Sequence, residues 1–262
     1  MSLENLFEKM WKQYSVLNPQ AKQIHSLLAK DGGEIENDHV AYRSVNLPGF
    51  GIEALAAPLL KLGYKKSGEY HFEIKKLYAV HLEHADKNLP KIFISELLLE
   101  KMSEQTQIIF KNLVEGAELP DTQEVLTCGR PWVVSFETYK TLAEESEYAA
   151  WLAAFGYCAN HFTVNVNKLK NFEELSELNT FLESKQYTLN SSGGKIKGSK
   201  EVFLEQSSTM AGEIKVSFSD GQELIPSCYY EFAKRYPMPS GELYQGFVAG
   251  SADKIFESTN KK

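Results

Sequence analysis

The chain is short of several features that would each point to a particular kind of protein. It has three cysteines, Cys128, Cys158 and Cys228, far apart and odd in number. They form no Cys-x-x-Cys pair and no disulfide framework, so the expected setting is a reducing cytoplasm. It has no excess of basic charge: 28 Lys and Arg stand against 35 Asp and Glu, a formal charge of −7. Nucleic-acid surfaces are normally basic, which argues against that class of partner. No apolar run approaches the roughly 20 residues needed to cross a bilayer, so no membrane partner is expected. Met1-Ser2-Leu3-Glu4-Asn5 has neither the basic nor the apolar region of a secretory signal. Nucleotide signatures are missing as well. Gly193-Gly194-Lys195-Ile196-Lys197-Gly198-Ser199-Lys200 has the composition of a phosphate loop but not its order, and a strand-like segment follows where a helix is required. It reads as a hairpin loop. Neither a Gly-x-Ser-x-Gly elbow nor a dinucleotide fingerprint is present.

What remains is an ordinary globular composition, 43% hydrophobic and 24% charged over 262 residues, long enough for a large core. The informative feature is a histidine that occurs twice in one setting. Asp38-His39-Val40-Ala41-Tyr42-Arg43-Ser44-Val45 and Asn160-His161-Phe162-Thr163-Val164-Asn165-Val166 each begin an alternating, strand-like run. Each run is followed by a helical stretch and then by further strands. Each segment ends in a strand carrying a carboxylate, Glu96 in Ile92-Phe93-Ile94-Ser95-Glu96 and Glu231 in Cys228-Tyr229-Tyr230-Glu231-Phe232.

The order along the chain predicts an α+β fold built from two β-α-β-β-β modules, with curved sheets around a central cleft. Residues 1–37 read as N-terminal helices, and residues 38–97 as the first module. Residues 98–157 form a helical insert, residues 158–236 the second module, and residues 237–262 a capping segment. In the first module the helix is expected at Ile52–Leu62 and the later strands at Tyr70–Ile74, Leu77–Glu83 and Lys91–Leu97. In the second the helix falls at Phe172–Leu182 and strands at Val202–Glu205, Glu213–Phe218 and Ser227–Phe232. Asp220-Gly221 is a hairpin turn signal.

On the first histidine strand His39, Ala41, Arg43 and Val45 share one face, and both faces are partly apolar, so His39 and Arg43 are expected to be enclosed. An enclosed arginine needs an anionic partner. Residues four apart on a strand lie about 13 Å apart. A metal on His39 and the Arg43 guanidinium, reaching into one cavity, could then grip the two ends of a small dicarboxylate. An internal salt bridge, to Glu96 or Glu231, is the plain alternative for Arg43. On the second strand His161, Thr163, Asn165 and Asn167 share a face that could equally be solvated. Glu231 lies in an aromatic strand, where a carboxylate must be paired, protonated or metal-bound. Two imidazoles and one carboxylate form the donor set of non-haem Fe(II) oxygenases, although zinc or manganese would accept the same donors. His81 and His84 are spaced for a helix but lie in strand-like sequence, so a shared ligand role is not expected.

His39-x-x-x-Arg43, Asn160-His161-Phe162-Thr163, Gln206-Ser207-Ser208-Thr209 and Tyr230-Glu231-Phe232-Ala233-x-Arg235 together resemble the 2-oxoadipate dioxygenase/decarboxylase family, long classed as a domain of unknown function. The resemblance runs from about residue 36 to residue 256. It implies a vicinal-oxygen-chelate-like fold of paired modules. It also implies Fe(II) held by His39, His161 and Glu231, with Arg43 binding a substrate carboxylate. The implied reaction turns 2-oxoadipate and O2 into 2-hydroxyglutarate and CO2, in lysine breakdown. Glu96, Gln206 and Ser207 are candidates for supporting or pocket positions, and the symmetry-related Glu96 is expected to stand aside from the metal. Gly246 to Asp253 resembles a substrate-lining segment in which Gly250 replaces a bulkier apolar residue and would widen the pocket. A Zn(II) or Mn(II) lyase or hydrolase, or a small-molecule-binding protein on the same scaffold, are the competing readings. The enclosed Arg43 and the complete His/His/Glu set favour a metal enzyme.

Overall fold

A computed structural model describes residues 2–259 of the chain. Two helices open it, α1 (Leu3–Leu17) and α2 (Pro19–Gly32). Ser2 caps α1 by accepting from the Asn5 amide. Leu6, Met10 and Tyr14, spaced four apart, form its buried stripe. Asn18 ends α1 and starts α2: its side chain accepts from the Ala21 amide, and Pro19 occupies the first turn, where a missing N–H costs nothing.

The first module is β1 (Asn37–Val45), α3 (Ile52–Lys61), β2 (Lys65–Phe72), β3 (Leu77–Glu83) and β4 (Lys91–Leu97). The insert carries α4 (Glu104–Val114), α5 (Phe136–Glu145) and α6 (Glu147–Phe155). The second module is β5 (Ala159–Asn165), α7 (Leu175–Ser184), β6 (Lys197–Ser199), β7 (Leu204–Ser208), β8 (Glu213–Phe218), β9 (Gly221–Pro226) and β10 (Glu231–Arg235). A last helix, α8 (Ala249–Ile255), and a short 3-10 turn, Phe256–Thr259, follow. Residues 260–262 of the expected capping segment lie outside the described residues. No helix among the described residues is long and apolar enough to cross a membrane.

Eight strands make one curled, half-barrel sheet in the order β2-β3-β4-β1-β5-β10-β7-β6. Read outward from its centre, each half has the same order: first strand, fourth, third, second. The two modules are thus copies of one arrangement, joined edge to edge where β1 pairs antiparallel with β5. The pair β8–β9 stands apart as a separate hairpin closed at Asp220-Gly221. This corrects the expected strands of the second module. Glu213–Phe218 is hairpin rather than main sheet, Val202 lies in a 3-10 turn, and the last strand begins at Glu231. The loop at residues 193–200 contains β6, which is too short to show alternation in sequence.

The convex face is covered by helices. Trp11 and Tyr14 of α1 pack on Phe162 of β5, with ring centroids 5.2 and 5.0 Å apart. The Tyr14 hydroxyl donates to the Tyr229 carbonyl. α6 is apolar all round and buried from Tyr148 to Phe155, as a helix packed on every side must be. Unlike α1, it lies against β1 on the face that carries Arg43 and Ser95, and it decides the surroundings of Arg43. The concave face of the sheet carries the polar side chains described next.

Candidate metal centre

Three adjacent strands put the candidate ligands together. In the ladders, His39 of β1 and Glu231 of β10 both stand opposite Thr163 of β5. His161 lies two residues from Thr163 on the same face. The row His39–Thr163–Glu231 therefore crosses the sheet, and His161 completes a triangle. The side chains close it. His39 Nε2 is 3.5 Å from Glu231 Oε1, and His161 Nε2 is 3.2 Å from Glu231 Oε2. One donor atom from each of the three lies within 4.8 Å of the others. All three residues are buried, and so is Thr163; on the His161 face only the far end, at Asn165 and Asn167, meets solvent.

Each imidazole is held by the residue before it. His39 Nδ1 is 2.8 Å from Asp38 Oδ1, and His161 Nδ1 is 3.0 Å from Asn160 Oδ1. With Nδ1–H donating to these oxygens, both Nε2 lone pairs face the centre. Burial pushes the pKa of both histidines down; for His39 the neighbouring Asp38 only partly offsets it, and for His161 the charges of His39 and Arg43 add to it. Neutral imidazoles are what a metal requires. Burial raises Glu231 to about 8, against a lowering by the hydrogen bond from Gln206. Gln206 Nε2 donates to Glu231 Oε1 at 2.6 Å, while Glu231 Oε2 is buried with no hydrogen-bond partner. A divalent cation would supply both the missing partner and the countercharge. The donor set and the unpartnered oxygen fit a metal with His39, His161 and Glu231 as ligands.

A small cavity of about 20 Å³ lies against these groups, lined by Phe93, Gln206, Tyr229, Phe247, Ile255 and Phe256 as well as the three candidate ligands. Tyr229 stacks on His161 at 4.6 Å. Its hydroxyl, the amide oxygen of Gln206 (Oε1) and Arg43 Nε are further buried polar atoms without partners. Such atoms are rare unless a ligand or water serves them.

Arg43 is enclosed, as its strand implied, but its ion pair is with Glu147 of the insert, not with Glu96 or Glu231. Its Nη1 donates to Glu147 Oε1 at 2.7 Å and its Nη2 to Thr259 Oγ1 at 3.1 Å. Tyr148 and Trp151 of α6 lie 4.8 and 5.0 Å from the guanidinium carbon. Three other expectations are corrected. Glu96 points to the opposite face of β4 and accepts from the Ile52 amide at 2.9 Å, holding the start of α3. Ser207 faces α7 and donates to Asn179 at 2.7 Å. Gly250 is exposed on α8, nothing would lie within 4 Å of a side-chain carbon there, and the cavity is lined by its neighbours in sequence instead. Alternation on β4 and β7 could have excluded Glu96 and Ser207, since Ser95 and Gln206 take the concave face. The helix carrying Gly250 has no such sequence signal.

Comparison with known proteins now decides the family. The profile described as 2-oxoadipate dioxygenase/decarboxylase matches residues 2–128 and 123–242. The chain belongs to the 2-oxoadipate dioxygenase/decarboxylase family. An Arabidopsis thaliana protein named 2-oxoadipate dioxygenase/decarboxylase, chloroplastic, is 38% identical over 92% of this chain and 73% of its own length. A Shewanella frigidimarina crystal structure, provisionally described as a hydrolase, superposes with a TM-score of 0.89 at 48% identity, covering 94% of this chain and 97% of that one. A rice hydroxyglutarate synthase solved with 2-oxoadipate gives 0.88 at 33% identity, covering 97% and 91%. A Ralstonia eutropha protein provisionally described as a member of the glyoxalase superfamily gives 0.81 at 20% identity, over 94% and 85% of the two chains, which bears on the fold alone. It agrees with the paired-module topology.

Proposed function

We propose that this family member is an Fe(II)-dependent dioxygenase that decarboxylates 2-oxoadipate, taking it and O2 to 2-hydroxyglutarate and CO2 in lysine breakdown. The observation that carries this reading is the buried His39/His161/Glu231 set with its unpartnered carboxylate oxygen, in a chain of this family. Bound there, Fe(II) would supply O2 activation and a seat for the 2-oxo acid group. The protein groups do the rest. Asp38 and Asn160 fix the two imidazoles. Gln206 holds one Glu231 oxygen in place. Arg43, with a free Nε and a fork now shared with Glu147 and Thr259, receives a carboxylate of the diacid. Positioning that end presents one carbon of the chain to the metal. Phe93, Phe247 and Phe256 keep water out.

The test is anaerobic reconstitution with Fe(II), followed by O2 uptake and CO2 release with 2-oxoadipate. The expected result is matched consumption of O2 and release of CO2. No oxygen consumption with any C5–C7 2-oxo diacid sinks the proposal. Turnover with Zn(II) or Mn(II) and no oxygen use would make the chain a lyase or hydrolase instead.

A further inference from the structure

Arg235 lies on β10 four residues after Glu231, on the same concave face. It makes two sets of hydrogen bonds in opposite directions. Toward the sheet, its Nε and Nη2 grip Asp38 as a fork, at 2.6 Å to Oδ2 and 2.9 Å to Oδ1. Asp38 is the carboxylate that receives His39 Nδ1. Toward the C-terminal segment, Nη1 donates to the carbonyls of Tyr244 at 2.9 Å and Gly246 at 2.8 Å. The next residue, Phe247, stands edge-on to His39 with ring centroids 4.8 Å apart, and its amide donates to the Tyr70 hydroxyl. The guanidinium also lies 5.2 Å from the Phe247 ring. Asp38, His39 and Arg235 are all buried.

We propose that Arg235 is a positioning residue that couples the orientation of His39 to closure of the segment Tyr244–Phe247 over the site. This rests on reading His39, His161 and Glu231 as metal ligands. A guanidinium is planar and rigid, so its two edges cannot move independently. Displacing the carbonyls of Tyr244 and Gly246 turns the edge that holds Asp38, and Asp38 is the group that aims His39. The cavity has room for about one water molecule, so a 2-oxo diacid enters only when part of the lining yields, and Phe247 of this segment is part of it. Entry of substrate and the set of the metal ligand are then one event. A lysine, a point charge without the fork, could not serve both edges.

The experiment uses the full chain and Co(II) alone as the probe, anaerobically. Binding is followed by the visible bands of Co(II), and closure by hydrogen exchange at the amides of Tyr244 and Phe247. In the unmodified protein, Co(II) is expected to slow exchange at both amides. In Arg235→Ala, Co(II) affinity is expected to fall about 10- to 100-fold, the range for lost support of a ligating histidine, and Co(II) no longer slows the exchange. Asp38 and Arg235 both line an outer cleft of about 530 Å³, so added guanidinium can reach the vacated space and is expected to restore both effects together. Arg235→Lys, read the same way, replaces the alanine variant if that does not fold. Equal slowing in the variant, no slowing in the unmodified protein, or rescue of one effect alone overturns the coupling. Failure of the unmodified protein to bind Co(II) overturns the metal site itself, a separate result.

Discussion

Thr163 Oγ1 lies 3.0 Å from His39 Nε2, the nitrogen that would face a metal held by His39, His161 and Glu231. The hydroxyl donates there because His39 Nδ1 already serves Asp38. A metal has to displace this hydrogen bond. Its net worth is about 0.5–1.5 kcal/mol. Thr163→Val, which removes the competing donor, is expected to raise metal affinity by a few-fold. A titration of apo-protein with Co(II) measures it, and weaker binding in the valine variant would contradict the assigned tautomer.

Glu231 is the one anionic member of the candidate ligand set, and it is buried with an unpartnered oxygen. Glu231→Gln is expected to abolish metal binding in a Co(II) titration. The apo-protein should nonetheless melt no lower than the unmodified apo-protein, because a buried carboxylate without a countercharge is costly. A large loss of thermal stability would show that Glu231 is held for folding instead.

Arg43 carries the substrate assignment. Arg43→Lys keeps the charge but loses the fork, so turnover of 2-oxoadipate is expected to fall at least 100-fold while Co(II) affinity changes less than threefold. Kinetics and titration on one preparation separate the two. Metal loss alongside turnover would make Arg43 a structural partner of Glu147.

The fold was legible in the sequence wherever alternation and helical spacing were long enough to read. The nine residues of β1 and the seven of β4 were clear. The three-residue β6 was not, and an amphipathic hairpin, β8–β9, imitates sheet strands. The three candidate ligands were legible because each stands in a distinctive strand. Asp38 and Asn160 were also visible, each one residue before a histidine, but their role needs the Nδ1 distances. The Glu147–Arg43 pair was not legible, since it joins β1 to a helix far away in sequence that has no other mark of function.

Acid should loosen the insert before the sheet. Glu145 accepts from the Ser103 amide and hydroxyl, from Thr106 and from Lys76. Burial opposes its ionisation, but these hydrogen bonds outweigh that and hold its pKa at about 2. The folded value lies below the usual carboxylate value of about 4.3. Its contribution to stability is therefore complete above about pH 4.3 and is lost as pH falls toward 2. Melting curves of Glu145→Gln and the unmodified chain should converge over that window, and a constant gap would refute the assignment.

The two modules share one strand order but not one chemistry at corresponding positions. Four residues after His39 stands Arg43, enclosed by α6, and four residues after His161 stands Asn165, which lines the outer cleft. A scaffold with near-twofold symmetry thus carries a buried guanidinium at this position in one module and a neutral amide at the matching position of the other. A diacid whose two ends are chemically alike, such as glutarate, would find its ends treated differently on binding. With Arg43 in its proposed role, the pocket imposes a direction that the repeat which builds it does not have.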